Sequence, residues 1–347
     1  MTDLERDMPR ILLQFHVTGR CNLRCRHCYR EEGNVQPLST ADVLEVLRQY
    51  EELKDAFNAE RGSTRRGHIN LTGGEPFMRE DMPEILRYMA SRRQSYTYGV
   101  LSNGAMLTRE YIALLKETGV SHVQLSIDGR REVHDALRAP GDYDRTMRKA
   151  AELERSGIKV HISFTANREN HRDLPEVAAA CRKRGLTRLW SDRIVPIGGG
   201  ADMAALTIGR DELPEYLASL NKAKGGRLTQ LLHPRTEVRM NRALQCLGGG
   251  MPYRCGAGNT LIVVDELGRI MPCRRMPILC GDVRSVTLRE VYFGHPVFRE
   301  LRDCCIPAAC AACAHRHVCR GGAKCQSYAR YGDFHRADPG CPLAEEE

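Results

Sequence analysis

Between residue 11 and about residue 196, short runs of apolar and β-branched residues alternate with longer stretches of helical periodicity. The strand candidates are 11–17, 68–71, 98–101, 122–126, 159–164 and 188–191, and the helical stretches between them are 40–57, 81–92, 108–117, 143–156 and 173–184. Strand–helix alternation implies parallel strands joined by right-handed crossovers. Six such units can close an α/β partial barrel, a (β/α)6 arrangement with its chemistry at the strand C-termini. A doubly wound open sheet uses the same alternation, and strand order cannot be read from it.

After Ile197-Gly198-Gly199-Gly200 the pattern weakens. Residues 201–250 read as a helical connection with further glycines. Residues 261–264 and 269–271 then flank Asp265-Glu266-Leu267-Gly268 and read as a β-hairpin. A helix over 287–301 precedes a cysteine-dense tail. The expected division is a core over 9–225 and a bridging segment with a small cysteine-rich domain over 226–347.

The length of 347 residues and 42% hydrophobic content allow a sizeable core. No apolar run approaches the length of a membrane span, and the first ten residues carry no apolar signal core. Fifteen cysteines in such a chain suggest metal rather than disulfides and a reduced, cytoplasmic setting. Eight of them lie from Cys280 onward. The formal charge of +8 invites a nucleic-acid role. Thiolate ligands on the cysteines would cancel much of that excess, so nucleic acid is not the expected partner.

Cys21, Cys25 and Cys28 follow the first strand in Thr18-Gly19-Arg20-Cys21-Asn22-Leu23-Arg24-Cys25-Arg26-His27-Cys28-Tyr29. Three thiolates on one loop can hold three irons of a 4Fe–4S cube and leave the fourth open to a small chelating ligand. Zinc would want a fourth ligand nearby, and His27 is cramped between two cysteines. The C-x3-C-x2-C spacing resembles the signature of the radical S-adenosylmethionine superfamily. Asn70-Leu71-Thr72-Gly73-Gly74-Glu75-Pro76, at the end of the second strand, resembles the superfamily motif that holds the methionine amino group. The resemblance implies a partial (β/α)6 barrel, with Gly73 and Gly74 letting the backbone approach the ligand and Glu75 accepting from its ammonium.

Later strand ends match that pattern less specifically. By resemblance, Ser126 sits near the methionine carboxylate or the ribose, with Asn103 as a further candidate. Arg138, in His134-Asp135-Ala136-Leu137-Arg138, either pairs with a carboxylate or orders its loop by a salt bridge. Asn170 either touches the adenosine part or is a plain turn residue.

The C-terminal cysteines resemble the SPASM domain, an auxiliary-cluster module of peptide- and protein-modifying radical enzymes. Cys255-x12-Gly268-x4-Cys273 fits its opening element, Cys310-x2-Cys313-x5-Cys319 its central element, and Cys341 its closing cysteine. The resemblance implies one auxiliary 4Fe–4S cluster on Cys310, Cys313, Cys319 and Cys341, where zinc is the alternative. The other auxiliary site departs from the family, which has a cysteine where this chain has Ala323. Cys325, two residues on, is the candidate replacement, which would complete a site with Cys255, Cys273 and one of Cys246 or Cys280; the alternative is an absent cluster, with Cys325 a buried small residue. Cys181 reads as a small core residue, and Cys304 and Cys305 have no assignment.

The resemblance implies reductive cleavage of S-adenosylmethionine to a 5′-deoxyadenosyl radical that abstracts hydrogen, fed by an external one-electron reductant such as flavodoxin or ferredoxin. Auxiliary clusters would accept an electron or position substrate. The expected substrate is a peptide or protein side chain; a small molecule such as a sugar, nucleoside or tetrapyrrole is the alternative. Sulfatase-activating members carry an aspartate where this chain has Arg274, which counts against that activity. Arg274 and Arg275 suggest an acidic substrate, or are two solvated arginines. The short stretch before Ile11 leaves no room for a peptide-recognition domain, so a peptide would dock directly or on a separate carrier. No acid, base or hydrogen donor is identified.

Overall fold

A computed structural model describes residues 9–30, 38–240, 243–303 and 306–344. Seven strands run parallel in sequence order: β1 (Leu12–His16), β2 (Gly67–Thr72), β3 (Tyr96–Leu101), β4 (His122–Ser126), β5 (Val160–Ala166), β6 (Arg188–Arg193) and β7 (Glu237–Arg239). Their crossovers carry α1 (Thr40–Arg61), α2 (Met82–Ser91), α3 (Arg109–Glu117), α4 (Arg131–Leu137), α5 (Asp142–Arg155), α6 (Leu174–Lys183), α7 (Leu213–Lys224) and α8 (Arg227–Leu232). The unbroken order of neighbours has no switch point, which removes the doubly wound alternative.

Three further strands join the same sheet. In β8 (Leu261–Val264), Leu261 to Val264 pair in parallel with Leu12 to Phe15 of β1. β9 (Arg269–Met271) and β10 (Gly281–Asp282) then continue antiparallel. The hairpin of the cysteine-rich region is therefore an extension of the core sheet. The helix expected over 287–301 is two helices, α9 (Leu288–Gly294) and α10 (Pro296–Asp303). Pro296 has no N–H to continue the first one and disfavours a helical His295. Two short helices follow, α11 (Arg316–Cys319) and α12 (Lys324–Tyr331).

Helix α1 illustrates how the outer layer is fixed. Ser39 and Asp42 form a reciprocal capping box, and Gly62 ends the helix at φ 59°. Val43, Val46, Leu47, Tyr50, Leu53 and Phe57 recur at helical spacing and are fully buried. On the strands, Leu13, Phe15, Ile69, Leu71, Val123, Leu125, Ile162 and Phe164 pack toward this layer.

The alternate residues face inward; Leu12, Leu101 and Leu261 are among them, but most are polar. Gln14, Asn70, Thr72, Gln124, Ser126, Ser163, Thr165, Trp190 and Asp192 line a cavity. A barrel interior filled for stability alone is dominated by branched apolar residues. Nearer the strand N-termini, His68, His122 and His161 stack, with ring centroids 5.5 Å and then 4.1 Å apart. Gly99 makes room for them, since a β-carbon there would stand 2.4 Å from the His122 ring.

Candidate active site

The cavity, about 1140 Å³ in volume, lies between the strand C-termini and the loop that carries Cys21, Cys25 and Cys28. The turn after β2 is clamped to that loop. Gly74 N–H donates to Thr18 O and Glu75 N–H to Arg20 O, both at 2.8 Å. A β-carbon on Gly73, at φ 145°, would stand 2.4 Å from Thr18 O, and one on Gly74 would stand 2.1 Å from Arg20 O. Both glycines line the cavity, and a side chain on either would collide with the cysteine loop.

Glu75 follows in the same turn. It is fully buried and is not part of the cavity wall. Its carboxylate accepts from Ser102 Oγ at 2.8 Å, from Asn103 N–H at 2.8 Å and from Phe77 N–H at 3.4 Å. Burial pushes this carboxyl up to about 7, against those hydrogen bonds. Glu75 thus braces the ends of β2 and β3.

Asn103 and Ser126 do line the cavity. The Asn103 amide donates to Asn22 Oδ1 at 2.8 Å and lies 3.9 Å from Cys21 Sγ. Arg138 also reaches the wall, and its partner is internal: Nε donates to Asp128 Oδ2 at 2.6 Å, and Nη1 lies 3.6 Å from Cys25 Sγ. Asp128 is fully buried, and despite the cost of burial the Arg138 guanidinium, with the His27 side-chain hydrogen bond, holds it well below the usual carboxylate range. His27 Nε2 is 3.3 Å from the same carboxylate. Burial pushes the Cys25 thiol up to about 11, with Arg138 opposing. Asn170 is buried away from the cavity, its amide donating to Asp128 O at 2.8 Å and Thr165 O at 2.9 Å. It is a turn brace.

The later cysteines fall into two groups. Cys325 packs with Cys255 and Cys273 around Val195, Met276 and Phe334. Burial holds its thiol well above the ordinary value; Arg275 opposes this, and Cys273 and Cys255 add to it. In the second group, burial pushes Cys319 up to about 12, with Cys246 and Cys341 adding to it. Cys341 in turn feels Cys313, and Cys310 packs in one apolar cluster with it. Cys246 therefore lies with Cys313 and Cys319 rather than beside Cys255 and Cys273. Cys280 is buried in the main core, its thiol donating to Ile278 O at 3.4 Å. Cys181 is a fully buried core residue, while Cys304 and Cys305 lie outside the described residues.

Arg274 and Arg275 both line the cavity, but neither is a solvated cation. Arg274 is 9% exposed and pairs with Asp265 at 3.3 Å, and Arg275 pairs with Asp192 of β6 at 2.6 Å. Arg30 extends the network: it donates to Gly19 O at 2.7 Å and to Glu266 at 3.2 Å, tying the cysteine loop to the hairpin turn. Arg275 and Asp192, and Arg30 and Glu266, lie far apart in sequence, so no local motif announces those pairs.

Residues 15–181 match the family model described as Radical SAM superfamily. PqqA peptide cyclase of Granulibacter bethesdensis is 27% identical over 97% of this chain and 88% of its own length. AdoMet-dependent heme synthase of Methanosarcina barkeri is 26% identical over 95% of both chains. Streptococcus suis SuiB, in a crystal structure bound to precursor peptide SuiA, superposes with a TM-score of 0.73 at 15% identity, over 97% of this chain and 76% of that one. The chain therefore belongs to the radical SAM superfamily of enzymes, the matched residues taking in the cysteine loop and β2 to β5, and carries a cysteine-rich C-terminal extension.

Proposed function

We propose that this enzyme modifies a peptide or protein side chain. Residues 9–225 would hold the radical chemistry, and residues 226–347 a SPASM-type region with two auxiliary clusters. The observation that carries this reading is the three-cysteine loop, clamped over a large cavity that Cys273 also borders. The superfamily uses a 4Fe–4S cluster with S-adenosylmethionine, and the donor set fits both: three thiols on one loop, beside a wall of hydroxyls and amides. When bound, these groups supply a 5′-deoxyadenosyl radical for hydrogen abstraction.

The chain's own residues do the rest. Cys21, Cys25 and Cys28 would ligate the cluster, while Gly73, Gly74, Ser102, Asn103, Ser126 and Arg138 shape the adjoining wall for S-adenosylmethionine. Arg138, fixed by Asp128, places positive charge beside the Cys25 sulfur. Cys310, Cys313, Cys319 and Cys341 would ligate one auxiliary cluster, with Cys246 at its edge. Cys255, Cys273 and Cys325 would hold the other, bordering the cavity and placed to accept an electron or position substrate. A cytosolic flavodoxin or ferredoxin is the proposed reductant. Among the described residues no helix is long and apolar enough to cross a membrane.

Oxidative tailoring of a small molecule is the second reading, favoured by the heme synthase likeness over 95% of both chains. Iron analysis of anaerobically purified protein tests the cluster assignment: about twelve irons are expected for three clusters, and about eight if one auxiliary site is empty. Cys325→Ala should lose about four irons, whereas Cys280→Ala should keep them all. Incubation with peptides encoded beside the gene, read by a mass change, tests the substrate. Turnover of a porphyrin-type substrate with no peptide modified would replace the first reading with the second.

A further inference from the structure

Lys324 opens α12 and is 3% exposed, yet its ammonium nitrogen has no hydrogen-bond partner. Lysine is almost never buried unless it is paired. Ser327, one turn further along the same helix face, is fully buried with its hydroxyl equally unpartnered. Two orphaned polar groups on one face point to an occupant of complementary charge.

The position of the ammonium indicates which occupant. A β-carbon on Gly321 would stand 3.6 Å from the Lys324 nitrogen and 2.5 Å from the Pro307 ring. Pro307 opens the turn that carries Cys310, accepting from Cys310 N–H at 2.9 Å. Gly321 and Gly322 sit at φ 83° and 86° just after Cys319, so the chain turns sharply between that cysteine and Lys324.

We propose that Lys324 is the buried counter-ion of the auxiliary cluster assigned to Cys310, Cys313, Cys319 and Cys341, and that its charge raises the reduction potential of that cluster. The inference rests on the ligand assignment proposed above. Four thiolates leave a 4Fe–4S cube with net negative charge, and reduction adds one more. A cation held in a low-dielectric wall beside the cube therefore favours the reduced form. Lys324 is in this sense a positioning and tuning residue that touches neither substrate nor S-adenosylmethionine.

The test is a redox titration followed by electron paramagnetic resonance. The full chain is used with Cys21, Cys25 and Cys28 changed to Ala, so that auxiliary signals alone remain. The signal of the second cluster is the one that Cys313→Ala removes. In Lys324→Met its midpoint should fall by about 59 mV, a tenfold change in the reduced-to-oxidised ratio of a one-electron couple. Lys324→Arg should keep the wild-type midpoint. An unchanged midpoint in an iron-replete Lys324→Met protein overturns the proposal, as does a shift confined to the signal that Cys325→Ala removes. Should Lys324→Met lose the cluster, retention in Lys324→Arg supports a charge role and loss in both overturns it. Absence of the second signal in the parent protein would instead refute the ligand assignment.

Discussion

Arg193, the last residue of β6, and Asp338, in the C-terminal segment, form an ion pair of 2.5 Å with side chains 2% and 0% exposed. Asp338 also accepts from Ala323 N–H at 3.0 Å and Gly340 N–H at 2.9 Å, so it organises the loop between the two cysteine groups. Gly340 cannot carry a side chain, because a β-carbon there would stand 2.0 Å from Arg193 Nη1. The preceding residue, Asp192, pairs with Arg275 beside Cys273. Two consecutive residues of one strand therefore grip the cysteine-rich region through pairs of opposite polarity.

Removing one partner of a buried pair leaves an uncompensated charge, which costs about 3–5 kcal/mol. Arg193→Met should destabilise the protein by that amount in denaturant unfolding and loosen the auxiliary irons first. Arg193→Met combined with Asp338→Asn should recover a large part of the loss, since neither change then strands a charge. A double variant no more stable than Arg193→Met alone would show that the pair is not coupled.

The clamp between the β2 turn and the cysteine loop predicts a site-specific lesion. Gly74→Ala should drive its methyl into the Arg20 carbonyl, displace Cys21 and cost about four irons, with the auxiliary clusters retained. Glu75→Gln, by contrast, keeps the shape of the brace and should lower stability by about 1–3 kcal/mol without emptying the loop. Iron content and unfolding midpoints measured together separate these two outcomes.

The alternation of six strands and five helices was legible because each element is long enough to show its period, and the C-x3-C-x2-C loop because its ligands are local. β7 was not, since Glu237-Val238-Arg239 is too short to show alternation. The pairing of β8 with β1 was equally hidden, because Leu261 and Leu12 are set side by side where the hairpin extends the sheet and by no local signal. Glu75 was read as a ligand group from its motif. The burial that makes it a brace, and the pairing that neutralises Arg274 and Arg275, depend on tertiary neighbours a single sequence does not reveal.

The histidine stack predicts a pH dependence. Burial, chiefly, pushes His68, His122 and His161 down to about 3, 4 and 2, with neighbouring cations adding to it. Their folded values lie below the unfolded value near 6.5, so the neutral form is the one the fold stabilises. Stability is therefore full above about 6.5 and is lost as pH falls toward the folded values. His122→Phe, which preserves the stacking, should lose less stability than wild type between pH 7 and pH 5, by about 1–2 kcal/mol. Equal losses in the two proteins would remove the stack as the source of acid sensitivity.

The central claim is that Cys21, Cys25 and Cys28 hold the cluster that cleaves S-adenosylmethionine. The most direct measurement is the yield of 5′-deoxyadenosine from reconstituted protein under anaerobic reduction, in wild type and in the Cys21, Cys25, Cys28→Ala variant. Wild type should form it, and the variant should form none while losing about four irons and keeping its auxiliary clusters. Undiminished 5′-deoxyadenosine from the variant, or a wild-type protein that holds zinc with little iron and forms none, would contradict the account.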